Sequence, residues 1–192
     1  MTSFTVFGTG NMANAIGGVV AKGGSDVQYI AHAESGSAQI TGDVVVLAVP
    51  YAALAPIAAA YGEQLKGKTV VDITNPLDFS TFDALVVPAG SSAAAELQAL
   101  LPESHVLKAF NTNFAATLVA GTVGAATTTV LVAGDDADAK AALIAAVEAG
   151  GLAGVDAGSL RRAHELEALG FLQLTLAAGE KIGWNAGFAL AS

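Results

Sequence analysis

The chain opens on a short apolar run, Phe4-Thr5-Val6-Phe7, that leads straight into Gly8-Thr9-Gly10-Asn11-Met12-Ala13 and then into a helix-forming stretch. A strand feeding G-x-G-x-x-A and a helix constrains the fold more than any other feature, because each small residue has a mechanical task. Gly8 permits the tight turn off the strand. Gly10 lets backbone approach a pyrophosphate with no Cβ in the way, and Ala13 lets the helix pack close to the sheet. The helix N-terminus then offers free N–H groups and a partial positive charge to phosphate. The expectation is a dinucleotide site with Gly8, Thr9, Gly10, Asn11 and Met12 around the pyrophosphate. A plain strand-to-helix turn is the alternative, since 22 glycines make chance matches easy.

Apolar runs of strand length alternate with Ala-rich helical stretches along the rest of the chain. The spacing predicts strands at Ser3–Phe7, Val27–Ala31, Asp43–Val49, Thr69–Thr74, Val106–Phe110, Thr128–Ala133 and Gly154–Asp156. Helices are predicted over Met12–Lys22, Ala52–Leu65, Ser92–Leu101, Ala137–Glu148 (with Asp135 as N-cap) and Leu160–Ile182. Pro56 must lie in the first turn of its helix or kink it. Continuous Val/Ile/Leu strands imply burial on both faces, and strand–helix alternation implies right-handed crossovers. The fold class is α/β: a Rossmann-type, doubly wound, mainly parallel sheet with a long C-terminal helix. The stretch His32–Gly42 is too short for the usual crossover helix, so a short helix or an extended loop is expected there. Residues 1–157 read as the dinucleotide-binding domain. Residues 158–192 read as a helix and tail that cover the acceptor site or build a dimer, in one compact unit with it.

Composition narrows the function. The chain is 53% hydrophobic, carries a net charge of −9 and holds no cysteine. A basic footprint for nucleic acid or anionic lipid is missing. Disulfides, thiolate metal sites and cysteine nucleophiles are excluded. His32, His105 and His164 are scattered, with no metal-ligand spacing, so no metal is expected. The uncharged stretch Ala109–Gly134 holds too many Thr, Asn and Gly residues for a membrane span. With no leader visible, a cytoplasmic protein is expected.

Candidate binding residues fall at strand ends, where ligands of open α/β sheets sit. The second strand ends Tyr29-Ile30-Ala31-His32-Ala33-Glu34-Ser35. No acid stands at the strand end, which favours NADP over NAD, although NAD stays possible. His32, Ser35 and Ser37 are candidates for the 2′-phosphate; a solvated loop is the alternative. Ala48, Val49, Pro50 and Tyr51 end the third strand, and Asn75 and Pro76 the fourth, with a ribose or nicotinamide amide as the partner of Asn75. Ordinary proline strand termination explains either pair equally. Lys108 sits inside an apolar strand, where a charge must be paired or reach solvent. Asn111 and Thr112 follow it. Asn111 and Tyr51 are the candidates for polarising an acceptor ring, and no nucleophile–base pair stands out. The last helix is amphipathic over Leu160–Leu169 and apolar nearly all round over Leu169–Ala178, which points to a partner subunit or to docking over the sheet. The tail Gly183-Trp184-Asn185-Ala186-Gly187-Phe188 holds the only Trp. It reads equally as a cover for a planar ring and as a core plug.

Gly8-Thr9-Gly10-Asn11-Met12, Ala48-Val49-Pro50-Tyr51, Asp72-Ile73-Thr74-Asn75-Pro76, Lys108-Ala109-Phe110-Asn111-Thr112 and Asp156-Ala157-Gly158-Ser159-Leu160 occur in that order. Together they resemble the coenzyme F420-dependent NADP oxidoreductase family, and the oxidoreductase domain of the STEAP-type metalloreductases. The resemblance implies an NADPH-binding Rossmann domain, a short C-terminal helical part, a homodimer built through it, and hydride exchange with a flavin or with the deazaflavin F420. It departs from the deazaflavin-using members at Asn111, where they carry His, and at Ala168 and Gly170, where they carry hydroxyl residues.

Two rival functions remain. One is a small C=N or C=O reductase, as in pyrroline-carboxylate reductases, which share the N-terminal fingerprint but carry a longer C-terminal domain. The other is a non-catalytic NADP(H)-binding redox sensor, whose apolar last helix would be the partner surface.

Overall fold

The computed structural model describes residues 2–31 and 36–190. In chain order the elements are β1 (Phe4–Phe7), α1 (Asn11–Lys22), β2 (Val27–Ile30), β3 (Val44–Leu47), α2 (Leu54–Leu65), β4 (Thr69–Asp72), α3 (Ala93–Leu100) and β5 (His105–Lys108). There follow α4 (Ala115–Ala120), β6 (Thr122–Val123), β7 (Ala126–Thr127), β8 (Thr129–Gly134), α5 (Ala137–Ala149), β9 (Ala153–Gly158) and α6 (Ala163–Ala178). The main sheet has the order β2-β1-β3-β4-β5-β8-β9, and β6 with β7 forms a separate hairpin.

The strands from β2 to β5 are all parallel. β8 joins β5 antiparallel, and β9 runs parallel to β8. The Rossmann-type, mainly parallel sheet is therefore present, with one reversal. Its cause lies in the uncharged stretch after β5, where the chain forms α4 and the small hairpin, neither foreseen from sequence. Those short pieces do not return the chain to the amino edge of the sheet as a full crossover helix would.

The Val/Ile/Leu runs are buried on both faces, as their composition demands. Every residue of β1 and β3 is buried. Phe4, Val6, Val44, Val46, Val71 and Leu107 pack against α1, α4 and α5. Phe7, Val45, Leu47, Val70 and Val106 face α2 and α3, and Leu160 and Ala163 join that second core from the start of α6. The final helix is thus seated on the sheet. Among the described residues no helix is long and apolar enough to cross a membrane.

Local chemistry explains the element ends. Tyr51–Ala53 forms a 3₁₀ turn before α2, which leaves Pro56 in the first helical turn, where a missing N–H is harmless. Ser92 caps α3 by accepting from the Ala95 N–H. The cap of α5 is Asp136, not Asp135; Asp135 instead accepts from the Leu160 N–H at 2.9 Å and pins the entry to α6. α6 stops at Ala178, short of Ile182, because Glu180 turns left-handed (φ 57°) and the Lys181 N–H closes back on the Leu176 carbonyl. Between β2 and β3, residues 36–42 hold no helix. That segment lies along α2, with the Gly36 N–H donating to the Tyr61 hydroxyl at 2.6 Å and the Ile40 N–H to Gln64 Oε1 at 2.9 Å.

Candidate functional site at the carboxyl edge of the sheet

From β1 the chain moves to β2 on one side and then to β3 on the other. That reversal opens a crevice at the carboxyl end of β1. The Gly8 N–H continues the ladder to the Ile30 carbonyl, and the Ala48 N–H reaches the Phe7 carbonyl. The chain therefore leaves β1 pinned between its two neighbours. Gly8 adopts φ 111°, and a Cβ there would lie 2.4 Å from the Ala48 carbonyl oxygen. Only glycine satisfies both conditions. At Gly10 a Cβ would meet nothing within 4 Å, so this position faces open space. No side chain caps α1. Its first N–H groups and the positive end of its dipole are left for a ligand.

A cleft of about 850 Å³ lies beside this turn. Phe7, Gly8, Thr9, Gly10, Ile30, Ala48, Val49 and Pro50 line it, with Pro56, Ile57, Ala60 and Tyr61 from α2. Tyr61 is fixed edge-on against Phe7 at 5.0 Å between ring centres. No charged side chain is among the described residues that line it. The 2′-phosphate candidates His32 and Ser35 lie outside the described residues.

A second cavity, of about 420 Å³, opens on the other side of the same turn. Asn11 and Met12 of α1 line it, together with Ile73, Asn75, Phe110, Asn111, Asn113, Phe114, Leu174 and Trp184. The five residues of the glycine turn thus divide between the two cavities: Gly8, Thr9 and Gly10 border the first, Asn11 and Met12 the second.

The floor of the second cavity is an amide cross-link. Asn111 Nδ2 donates to Asn75 Oδ1 and to the Leu166 carbonyl, each at 2.8 Å, while Asn75 Nδ2 donates to the Asn111 carbonyl at 2.7 Å. Backbone carbonyls are acceptors only, so they fix which way both amides face. Gly170 of α6 makes room for the pair, since a Cβ there would stand 2.3 Å from Asn75 Oδ1. A hydroxyl residue at 170 is incompatible with this pair. Phe110, just before Asn111, is buried and left-handed at φ 62°. A bulky residue held in that region is strained by about 1–3 kcal/mol and marks a place where the chain is forced into position. Asn111 Oδ1 and Asn113 Oδ1 are buried acceptors without a hydrogen-bond partner among the described residues. Buried orphans of this kind call for a water or a ligand. Pro76 lines neither cavity; it is buried, and its carbonyl accepts from the Val86 N–H.

Lys108 is paired, not exposed. Parallel register sets Asp72 beside it, on the face that meets α3 and α6. Its ammonium lies 2.6 Å from Asp72, 2.8 Å from Glu167 and 2.6 Å from the Thr74 carbonyl, and all four residues are buried. Glu167 in turn accepts from the Ala93 N–H at the start of α3, at 3.0 Å. Burial pushes the Glu167 carboxyl above the usual range, against the pull of the Lys108 ammonium. The triad joins β4, β5, α3 and α6 just beneath the amide cross-link. The sequence pointed to the need for a partner and could not supply Glu167, which is distant in the chain.

Tyr51 is placed differently from the sequence-based expectation. Its hydroxyl donates to Glu96 Oε2 on α3 at 2.5 Å and is not among the groups lining either large cavity. Of the two candidates for polarising a ring, Asn111 is the one at a cavity bordered by the glycine turn; Tyr51 lines only a small pocket of about 160 Å³ against α3. The Glu96 carboxylate beside it pushes the Tyr51 phenol up to about 12, with burial as a second cause. A phenol whose pKa is raised on folding stabilises the protein fully below its unfolded value near 10. That contribution fades as pH climbs from 10 through 12. Glu96→Gln should bring the Tyr51 midpoint down towards 10 in a spectrophotometric titration, and a midpoint left near 12 would contradict the assignment.

The chain is similar in sequence and fold to known NADP-dependent reductases. Residues 28–76 match the family described as NADP oxidoreductase, coenzyme F420-dependent. The chain is 33% identical over 140 residues to the F420-dependent NADP reductase of Methanocaldococcus jannaschii, across 71% of this chain and 62% of that protein. It is 34% identical over 126 residues to metalloreductase STEAP3 of Rattus norvegicus, across 66% of this chain and 24% of that one. The chain therefore spans less than two thirds of either curated relative. A crystal structure from Arthrobacter, provisionally assigned as an F420-dependent NADP reductase, superposes over 100% of both chains with TM-score 0.84 at 26% identity. In sequence and in structure, the chain is similar to the F420-dependent NADP oxidoreductases, as its ordered strand-end motifs indicate.

Proposed function

We propose that this chain is an NADP(H)-dependent oxidoreductase that passes a hydride between the nicotinamide and the ring of a flavin or of a deazaflavin such as coenzyme F420. One observation carries the reading: a single turn, Gly8–Met12, borders both cavities, with an uncapped helix N-terminus between them. A dinucleotide is two ring systems joined by a diphosphate, and this arrangement has the same order. The apolar cleft under α2 suits the adenosine half. The open space at Gly10 and the first N–H groups of α1 suit the diphosphate. The second cavity suits the nicotinamide and an acceptor stacked on it, and the buried Asn111 and Asn113 carbonyls are complementary to ring-amide N–H donors.

Bound there, the nicotinamide supplies the hydride chemistry, and the protein supplies position and a dry surface. Holding two rings face to face in attack geometry can remove about 7–11 kcal/mol of barrier. Ile73, Phe114 and Leu174 exclude water, while the Asn75–Asn111 pair keeps the floor rigid. The described residues lining the second cavity include no His, Lys, Tyr, Asp or Glu. Reduction of C=N or C=O needs a proton as well as a hydride, so this lining disfavours the small-reductase reading. A flavin-type ring takes the hydride and is stable as the reduced anion, which needs no protein acid.

Calorimetric titration with NADPH and NADH, followed by stopped-flow oxidation of bound NADPH by FMN, FAD and F420, tests the proposal. NADPH should bind more tightly than NADH and be oxidised by at least one ring acceptor. Failure to bind either nucleotide would overturn the reading, and binding without turnover by any acceptor would favour the redox sensor.

A further inference from the structure

The tail after α6 returns along the helix. The Phe188 N–H donates to Gln173 Oε1 at 3.2 Å, and Gln173 itself is buried. This anchorage carries Trp184 to the rim of the second cavity, where its ring lies 5.0 Å from that of Phe114, inclined at 54°. Phe114 is 8% exposed, but Trp184 is 55% exposed. A tryptophan serving as a core plug would be covered. This one has one edge against an aromatic neighbour and a large open surface at a cavity mouth. Covering the exposed indole face with a planar ring would bury apolar area and add an aromatic stacking contact. Met12 and Ile73 add apolar surface to the same cavity, and the polar side chains of the lining are uncharged amides. No cation among the described residues of this cavity is available to neutralise a phosphate.

From these observations, and resting on the hydride-transfer reading above, we infer that Trp184 and Phe114 form an aromatic wall on which the acceptor ring stacks, and that the cavity takes the uncharged ring end of that acceptor. The acceptor class is a planar, fused heteroaromatic with an amide-bearing edge, and any phosphate on it stays outside. Trp184 is then a binding and specificity residue for the acceptor and not for the dinucleotide.

Riboflavin, a flavin without phosphate, is the probe. Because the chain has a single tryptophan, its fluorescence reports this site directly. Riboflavin should quench that emission saturably, with or without turnover, and its KM in NADPH oxidation should be within about threefold of that for FMN. Trp184→Ala should raise the riboflavin KM about tenfold, the scale of one aromatic stacking contact. The NADPH dissociation constant should stay within about twofold, and Trp184→Phe should recover most of the loss. An unchanged riboflavin KM in Trp184→Ala, no saturable quenching in the wild-type chain, or a strong preference for FMN would each overturn the inference. If NADPH itself fails to bind, the fault lies in the oxidoreductase reading. If NADPH binds and the tryptophan variants behave as wild type, only the wall is refuted.

Discussion

Gly8→Ala should abolish nucleotide binding and destabilise the fold, whereas Gly10→Ala should impair binding alone. The two glycines sit two residues apart and face different physics. At Gly8 a side chain is opposed twice, by φ 111° and by a backbone carbonyl 2.4 Å from the new Cβ. The carbonyl belongs to Ala48, and the Ala48 N–H is bonded to Phe7, so the obstacle cannot swing aside without loosening β1 from β3. Backbone strain of this kind costs about 1–3 kcal/mol, and the clash adds to it. A domain of this size loses about 2–4 °C of melting temperature per kcal/mol, so the variant should melt roughly 10 °C lower. Gly10 has φ −77°, which any residue adopts, and its Cβ would project into open space. Gly10→Ala should therefore melt within about 1 °C of wild type. Its methyl would occupy the place the proposed function gives to the diphosphate, which should weaken NADPH binding by at least about tenfold. Equal melting temperatures for the two variants would show that the turn geometry is misassigned. Undiminished affinity in Gly10→Ala would place the diphosphate elsewhere.

The second large effect is expected at Lys108. Lys108→Met conserves length and apolar bulk but leaves Asp72 and Glu167 facing each other in a buried site. Removing one member of a buried ion cluster costs about 3–5 kcal/mol, because the remaining charges stay desolvated and unpaired. The melting temperature should fall by about 10 °C or more. Adding Asp72→Asn and Glu167→Gln to Lys108→Met should recover a large part of that loss, since no uncompensated charge then remains. If the triple variant is worse than the single one, the carboxylates matter chiefly through their backbone bonds, at the Ala93 and Thr74 N–H groups.

Much of the fold can be read from the chain, because the parallel strands are continuous apolar runs and the glycine turn has one mechanical interpretation. Prolines and Ser92 mark helix ends for equally local reasons. The stretch after β5 is different. Its Ala, Thr and Val residues carry no charge and no clear period, so α4 and the hairpin leave no pattern, and β8, legible as a strand at Thr128–Ala133, gives no sign of its reversed direction. Asp135 and Asp136 are adjacent and equally suited as caps, and a contact with Leu160, remote in sequence, decides between them. At the site the same division holds. Gly8, Thr9, Gly10, Ala48, Val49 and Pro50 line the first cleft as their strand-end positions imply, and Asn11, Met12, Asn75 and Asn111 line the second. The direction of the Tyr51 hydroxyl depends on Glu96 of α3, and the pairing of Asn111 depends on α6. Both are tertiary facts with no local signature.

The amide cross-link also determines how the second cavity can open. Asn111 ties the end of β5 to Asn75 on one side and to the α6 backbone at Leu166 on the other, and the buried triad below binds the same elements again. Strand ends and final helix therefore form one stiff jaw. The opposite jaw is the tail, attached to α6 by the Phe188–Gln173 bond across a half-exposed segment. Few bonds and little burial hold that segment, so local opening is expected there first. On the proposed reading, a ring-shaped acceptor would exchange on the tail side while the dinucleotide stays on the glycine turn, so the two partners of the reaction would come and go on separate clocks.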